Sequence, residues 1–189
     1  MKNILFLGNS LTEGYGLRNK AQESFPALIQ QKINASQLDY KVINAGLSGD
    51  TSTGGLNRVD YWLSTPITVF VLELGINDVI RGIPPTSTSK NLQAIIDKVK
   101  AKYPQVKIAL MGMEVSAFVP APFSIQFREI FHRLAATNQI AFVPFLLEGV
   151  AGKQHLNLPD RLHPSAEGYR IIADKVWPVI EKLLIEKLN

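Results

Sequence analysis

The chain predicts a three-layer α/β/α sandwich built on a parallel sheet. Three observations lead there. Short apolar runs alternate with amphipathic segments along the whole length. The run over residues 68–74 is rich in Val and Leu, as a strand buried on both faces requires. Each of the first three runs ends in a cluster of Gly and Asn, where a chain leaves a sheet for a turn. Strands alternating with helices give parallel units with right-handed crossovers. Such sheets hold ligands beyond the carboxyl ends of their strands, at the switch in strand order.

The elements follow in order. Residues 3–7 read as a buried strand closed by Gly8. Residues 25–33 read as a helix with Phe25, Leu28, Ile29 and Ile33 on one stripe. Residues 40–43 form a second strand, followed by a glycine-rich stretch from Gly46 to Gly55, where Gly54 and Gly55 are expected to serve a turn. The third strand, 68–74, precedes a helix with Ser89 as its cap, the stripe Leu92, Ile95, Ile96 and Val99, and Pro104 as its stop. Residues 106–111 make a fourth strand. A proline-rich loop leads to a helix near 124–138, and 140–143 make a fifth strand. A long helical pattern through Ile171, Ile172, Val176, Ile180 and Leu184 ends the chain, with Pro178 as a kink point. No repeat or linker divides it, so residues 1–189 read as one domain.

Composition narrows the function classes. The 189 residues include no cysteine, which excludes disulfides, thiolate metal sites and a cysteine nucleophile. The net charge is +4, but the basic residues are scattered. The densest cluster, Lys98, Lys100 and Lys102, lies on an expected helix and reads as a solvated face, so no nucleic-acid partner is expected. No segment is long enough to span a membrane. The run 4–7 is too short for a signal-peptide core. As written the chain reads as cytoplasmic; a leader removed before this numbering would make it periplasmic or secreted. Nothing in the sequence speaks to oligomeric state.

The chemistry-bearing residues fall where the sheet rule wants them. The first strand ends in Gly8-Asn9-Ser10-Leu11, the second in Asn44-Ala45-Gly46 and the third in Gly75-Ile76-Asn77-Asp78. Asp160-Arg161-Leu162-His163-Pro164 comes just before the last helix. A serine hydroxyl is a poor nucleophile until a base takes its proton. His163 can do that, because imidazole titrates near neutral pH. Asp160, one helical turn earlier, can hold the Nδ1 proton and leave Nε2 facing Ser10. An oxyanion needs preorganised donors, which the Ser10 and Gly46 amides and the Asn77 carboxamide can supply. Taken singly, each has a plainer reading: Ser10 a helix cap, Asn77 a turn residue, Asp160 and His163 a surface cap or a metal pair. No third ligand stands nearby, so no metal is expected. Asp78 reads as a structural acceptor at a helix start. His155 is the rival base, and His132 reads as structural or exposed.

Together these blocks resemble the four sequence blocks of the SGNH, or GDSL-like, hydrolases, with Ser10, Gly46, Asn77 and His163 matching the residues that name the family. The stretch 72–78 followed by Arg81-Gly82 is most similar to the bacterial thioesterase I, lysophospholipase L1 and arylesterase branch. The resemblance covers essentially the whole chain. It implies a five-stranded flavodoxin-like sheet, a Ser-His-Asp triad, no cofactor, and small acyl esters or thioesters as substrates. One position departs: Asn9 stands where the family usually has Asp. The Asn9 carbonyl still accepts a hydrogen bond, so activity is expected to survive.

Apolar residues near the same sheet edge fit either an acyl groove or ordinary loop packing. They are Ile80, Ile83 and Pro84 after the third strand, Phe118, Val119 and Phe123 after the fourth, and Leu156 and Leu158 before the triad segment. Widening the groove at Phe118 is expected to shift chain-length preference. Two alternatives remain: a carbohydrate O-deacetylase using the same triad, or a non-catalytic flavodoxin-like module in which Ser10 and Thr12 donate to a phosphate. The second leaves Asn77, Asp160 and His163 without a purpose.

Overall fold

Runs of β-branched and apolar residues pair as five strands in the computed structural model, which describes residues 2–115 and 119–186. The strands are β1 (Lys2–Gly8), β2 (Tyr40–Gly46), β3 (Val69–Glu73), β4 (Lys107–Met111) and β5 (Ala141–Val143). The helices are α1 (Ser10–Glu13), α2 (Lys20–Glu23), α3 (Phe25–Ala35), α4 (Ser52–Trp62), α5 (Ile76–Ile80), α6 (Pro85–Lys102), α7 (Ala121–Asn138) and α8 (Ala166–Ile185). A 3-10 turn, Gln154–Leu156, precedes α8. Among the described residues no helix is long and apolar enough to cross a membrane.

The sheet order is β2-β1-β3-β4-β5, and every pairing is parallel. The chain therefore reverses its direction of travel between β1 and β3. Right-handed crossovers on either side of that reversal send helices to opposite faces. Helix α3 packs on α8, and α4, α6 and α7 pack side by side. The result is a three-layer sandwich. Its centre is β3, where Val69, Phe70, Val71 and Leu72 are fully buried, as a strand covered on both faces must be. The gap beyond the carboxyl ends of β1 and β3 is the place such a sheet reserves for chemistry.

Two local expectations are corrected. Helix α6 starts at Pro85, not near Ser89, because the fixed φ of proline suits a first helical turn, where its missing N–H costs nothing. The stretch 46–55 is not one glycine loop: β2 runs on to Gly46, and α4 begins at Ser52 with the Thr51 hydroxyl accepting from the Gly54 amide. Gly54 and Gly55 sit inside α4 and serve close approach. A Cβ on Gly54 would lie 1.8 Å from Asp50 Oδ1, and one on Gly55 2.3 Å from Leu74 Cδ1. Helix α8 runs through Pro178.

Candidate active site

The turn that carries Ser10 is built by a cap. Asn9 follows β1, and its Oδ1 accepts from the Leu11 amide, starting α1 at Ser10. Gly14, with φ +83°, ends that single turn in the left-handed conformation. Ser10 is held at the mouth of the sheet, 7% exposed. The Ser10 amide, at the first position of the turn, makes no hydrogen bond among the described residues.

An imidazole reaches Ser10 from far along the chain. His163 Nε2 lies 2.9 Å from Ser10 Oγ, and Nδ1 lies 2.7 Å from Asp160 Oδ2. The spacing of three residues is achieved by a carboxylate-capped turn, not by the helical turn expected. Asp160 Oδ1 accepts from the Leu162 amide at 2.9 Å and the His163 amide at 3.0 Å, and Arg161 takes φ +59°. Partial burial works to raise the Asp160 carboxyl, but the His163 amide and ring and the Leu162 amide outweigh it and hold the group below its ordinary value. An ionised Asp160 fixes the Nδ1–H tautomer and leaves Nε2 as acceptor for the Ser10 hydroxyl. Tyr15 lies against the other side of the imidazole, ring centroids 4.6 Å apart. His155 is exposed, and His132 sits edge-on to Phe142 at 4.9 Å; the imidazole that meets Ser10 is that of His163.

The oxyanion side differs from expectation. Gly46 is the last residue of β2, and its amide donates to Asn44 Oδ1 at 2.9 Å, so it is not free. Its lack of a side chain serves packing, since a Cβ there would stand 2.1 Å from the Glu13 nitrogen. Asn77 comes into play through the next loop: its Nδ2 donates to the Asp50 carbonyl at 2.8 Å, which leaves its second N–H available. Gly49, with φ +79°, precedes Asp50, and its amide has no partner among the described residues. That loop is held from four sides. Glu13 accepts from the Ser48 amide at 2.8 Å and from the Ser48 hydroxyl, and Arg81 donates to the Gly49 carbonyl at 2.8 Å. Asn77 takes the Asp50 carbonyl, and Arg58 pairs with the Asp50 carboxylate at 2.7 Å. Arg58 also donates to the carbonyls of Ala45 and Gly8, tying the ends of β2 and β1 to the same loop. Asp78 is a structural acceptor. Its carboxylate takes the Ser52 amide and hydroxyl and the Thr88 hydroxyl, joining α4, α5 and α6.

The apolar candidates scatter. Leu156 is 3% exposed and belongs to the core, because the turn that carries it closes against α8. Phe123 is half-buried and stacks on Phe127. Val119 and Ile83 are half-buried, Pro84 caps α6, and Phe118 lies outside the described residues. Leu158 is held close to the segment of Asp160 and His163, its amide donating to the His163 carbonyl at 2.7 Å. Four large apolar side chains are exposed on the segments that carry the site: Tyr15, Leu47, Ile80 and Leu162. Thr12 cannot serve a phosphate, since it is fully buried and its hydroxyl donates to Glu73 at 2.8 Å.

Comparison with known proteins decides the family. The model of the GDSL-like Lipase/Acylhydrolase family matches residues 6–171. The chain belongs to this family. It is 34% identical over 185 residues to Esterase TesA of Pseudomonas aeruginosa, covering 97% of this chain and 90% of that one. It is also 34% identical over 182 residues to Thioesterase 1/protease 1/lysophospholipase L1 of Escherichia coli K12, covering 96% and 84%. A crystal structure of TesA superposes with a TM-score of 0.91 at 33% identity, over 97% of this chain and 100% of that one. The GDSL-like fold and the branch resemblance thus agree with what the sequence blocks imply.

Two features of this GDSL-like site were missed in sequence. Gly49 has a signal, since it stands directly before the Asp50-Thr51 pair that opens α4, but Gly46 competes for the same role. Glu73 has almost none, being one polar letter in an apolar strand. It is 1% exposed, and burial pushes its carboxyl up to about 7 against the opposing donors of Thr12 and Asn9.

Proposed function

We propose that this GDSL-like hydrolase is a serine esterase and thioesterase that cleaves small to medium acyl substrates through an acyl-enzyme. The observation that carries the reading is the Ser10–His163–Asp160 alignment, 2.9 Å and 2.7 Å between successive partners. His163 Nε2 takes the Ser10 proton as Oγ attacks the acyl carbonyl. The resulting imidazolium stays paired with Asp160. The oxyanion is met by the Ser10 amide and the free Asn77 N–H, with the Gly49 amide in the place first given to Gly46. His163 then hands its proton to the departing alkoxide or thiolate, and the C–O or C–S bond breaks. Water enters, gives a proton to the same Nε2 and attacks the acyl-enzyme; the proton returns to Ser10 Oγ as the acid leaves.

The exposed apolar rim of Tyr15, Leu47, Ile80 and Leu162 supports acyl groups over a sugar as the bound portion. The test is a substrate panel of p-nitrophenyl acetate, butyrate, octanoate and palmitate, acyl-CoA, and an acetylated sugar. Turnover of the esters or thioesters, with kcat/KM rising beyond acetate, is the expected result. Preference for the acetylated sugar would replace this reading with a deacetylase. No turnover on any member would refute the acyl-hydrolase reading.

A further inference from the structure

Glu73 ends β3 directly opposite Gly8 of β1, beneath the nucleophile turn. It is buried, and among the described residues no Lys, Arg or His pairs with it. A carboxylate is costly to place there unless donors surround it. Its donors come from the turn that carries Ser10. The Asn9 amide donates to Oε2 at 3.1 Å, the Thr12 hydroxyl to Oε2 at 2.8 Å, and Asn9 Nδ2 to Oε1 at 2.7 Å. Gly8 keeps this path open, since a Cβ there would sit 1.9 Å from Thr12 Oγ1 and 2.7 Å from Glu73 Oε2.

The Asn9 amide group has no freedom to turn over. Its Oδ1 is committed to the Leu11 amide at 2.9 Å as the cap of α1, so Nδ2 must face Glu73. The carboxylate is thus an acceptor facing donors on every contact, and the cap that orients Ser10 is itself oriented by Glu73. We propose that Glu73 is a positioning residue for the nucleophile, acting through Asn9 and Thr12 and touching neither Ser10 nor substrate. This rests on Ser10 being the nucleophile.

The contacts predict a reciprocal exchange. In Glu73→Gln, an N–H of the new amide must point at an N–H or O–H donor of the turn, whichever way the amide lies. In Asn9→Asp, two carboxyl groups face each other, and one must bind a proton before they can pair. In the double variant Asn9→Asp/Glu73→Gln the pattern is restored with donor and acceptor swapped. Asp at position 9 still accepts from the Leu11 amide, Gln at position 73 donates to it, and the Gln oxygen accepts from Thr12 and the amide of residue 9.

All four proteins, with Ser10→Ala, are assayed on one p-nitrophenyl ester at pH 8, with folding checked by circular dichroism and thermal unfolding. Each single variant is expected to lose about tenfold in kcat, the order set by a buried donor without its acceptor, with KM little changed. The double variant is expected to recover to within about threefold of wild type, where independent effects would multiply. A double variant as poor as the product of the singles, or a Glu73→Gln equal to wild type, overturns the proposal. If Glu73→Gln alone does not fold, the double variant must still exceed Asn9→Asp, and failure to do so is decisive. Full activity in Ser10→Ala would refute the nucleophile itself; an inactive Ser10→Ala beside a wild-type-like Glu73→Gln refutes only the role of Glu73.

Discussion

Ser10→Ala is expected to lower kcat on the order of 10⁶-fold while leaving KM and thermal stability close to wild type. The size of the loss follows from the arrangement of the site. Among the described residues only the Ser10 hydroxyl lies within reach of His163 Nε2, at 2.9 Å, and removing it leaves the imidazole with nothing to activate but stray water. The oxyanion donors remain, so a residual rate above the uncatalysed reaction persists. Stability is spared because the backbone contacts of the turn, from the Asn9 cap to Gly14, do not use the Ser10 side chain. Steady-state hydrolysis of a p-nitrophenyl ester with active-site titration measures this. A loss of only a few-fold would mean that another group performs the attack.

Asn77→Ala is expected to cost about 10²–10³ in kcat, the range seen when one oxyanion donor is removed. The side chain has two N–H groups: one anchors the Asp50 carbonyl at 2.8 Å, and the proposed mechanism gives the other to the oxyanion. Alanine loses both. The split between kcat and KM separates them, because charge on the oxyanion develops only as the transition state forms. A fall in kcat with KM nearly constant assigns the loss to the oxyanion. A rise in KM with kcat unchanged would leave Asn77 only the task of holding the Gly49 loop.

The fold was readable because its strands are written as apolar runs and its turns as Gly and Asn, signals that depend on neighbours in sequence. The alignment of Ser10, His163 and Asp160 was readable for a related reason: Asp160 and His163 are three residues apart, and Ser10 lies in the turn that follows a strand. What sequence concealed depends on contacts between distant segments. Gly46 and Gly49 stand three residues apart, at the end of β2 and just beyond it, and the Asn44 side chain takes the Gly46 amide, while the Gly49 amide has no partner among the described residues. Gly54 and Gly55 look like a turn but lie inside α4, which the Thr51 cap starts, and Asp50 and Leu74 leave no room there for a side chain. Glu73 is hidden for the same reason, as its partners Asn9 and Thr12 lie 64 and 61 residues away. Leu156 reads as a groove residue until the fold places it against α8.

The most direct measurement is the site of covalent capture. The protein is treated with an alkyl fluorophosphonate, which reacts with an activated serine and stays on it, and the adduct is mapped by mass spectrometry after proteolysis. One equivalent on Ser10, concurrent loss of ester hydrolysis, and no labelling of Ser10→Ala are the expected result. An enzyme that hydrolyses esters and carries the adduct on any other residue, or that stays fully active with Ser10 modified, would contradict Ser10 as the nucleophile.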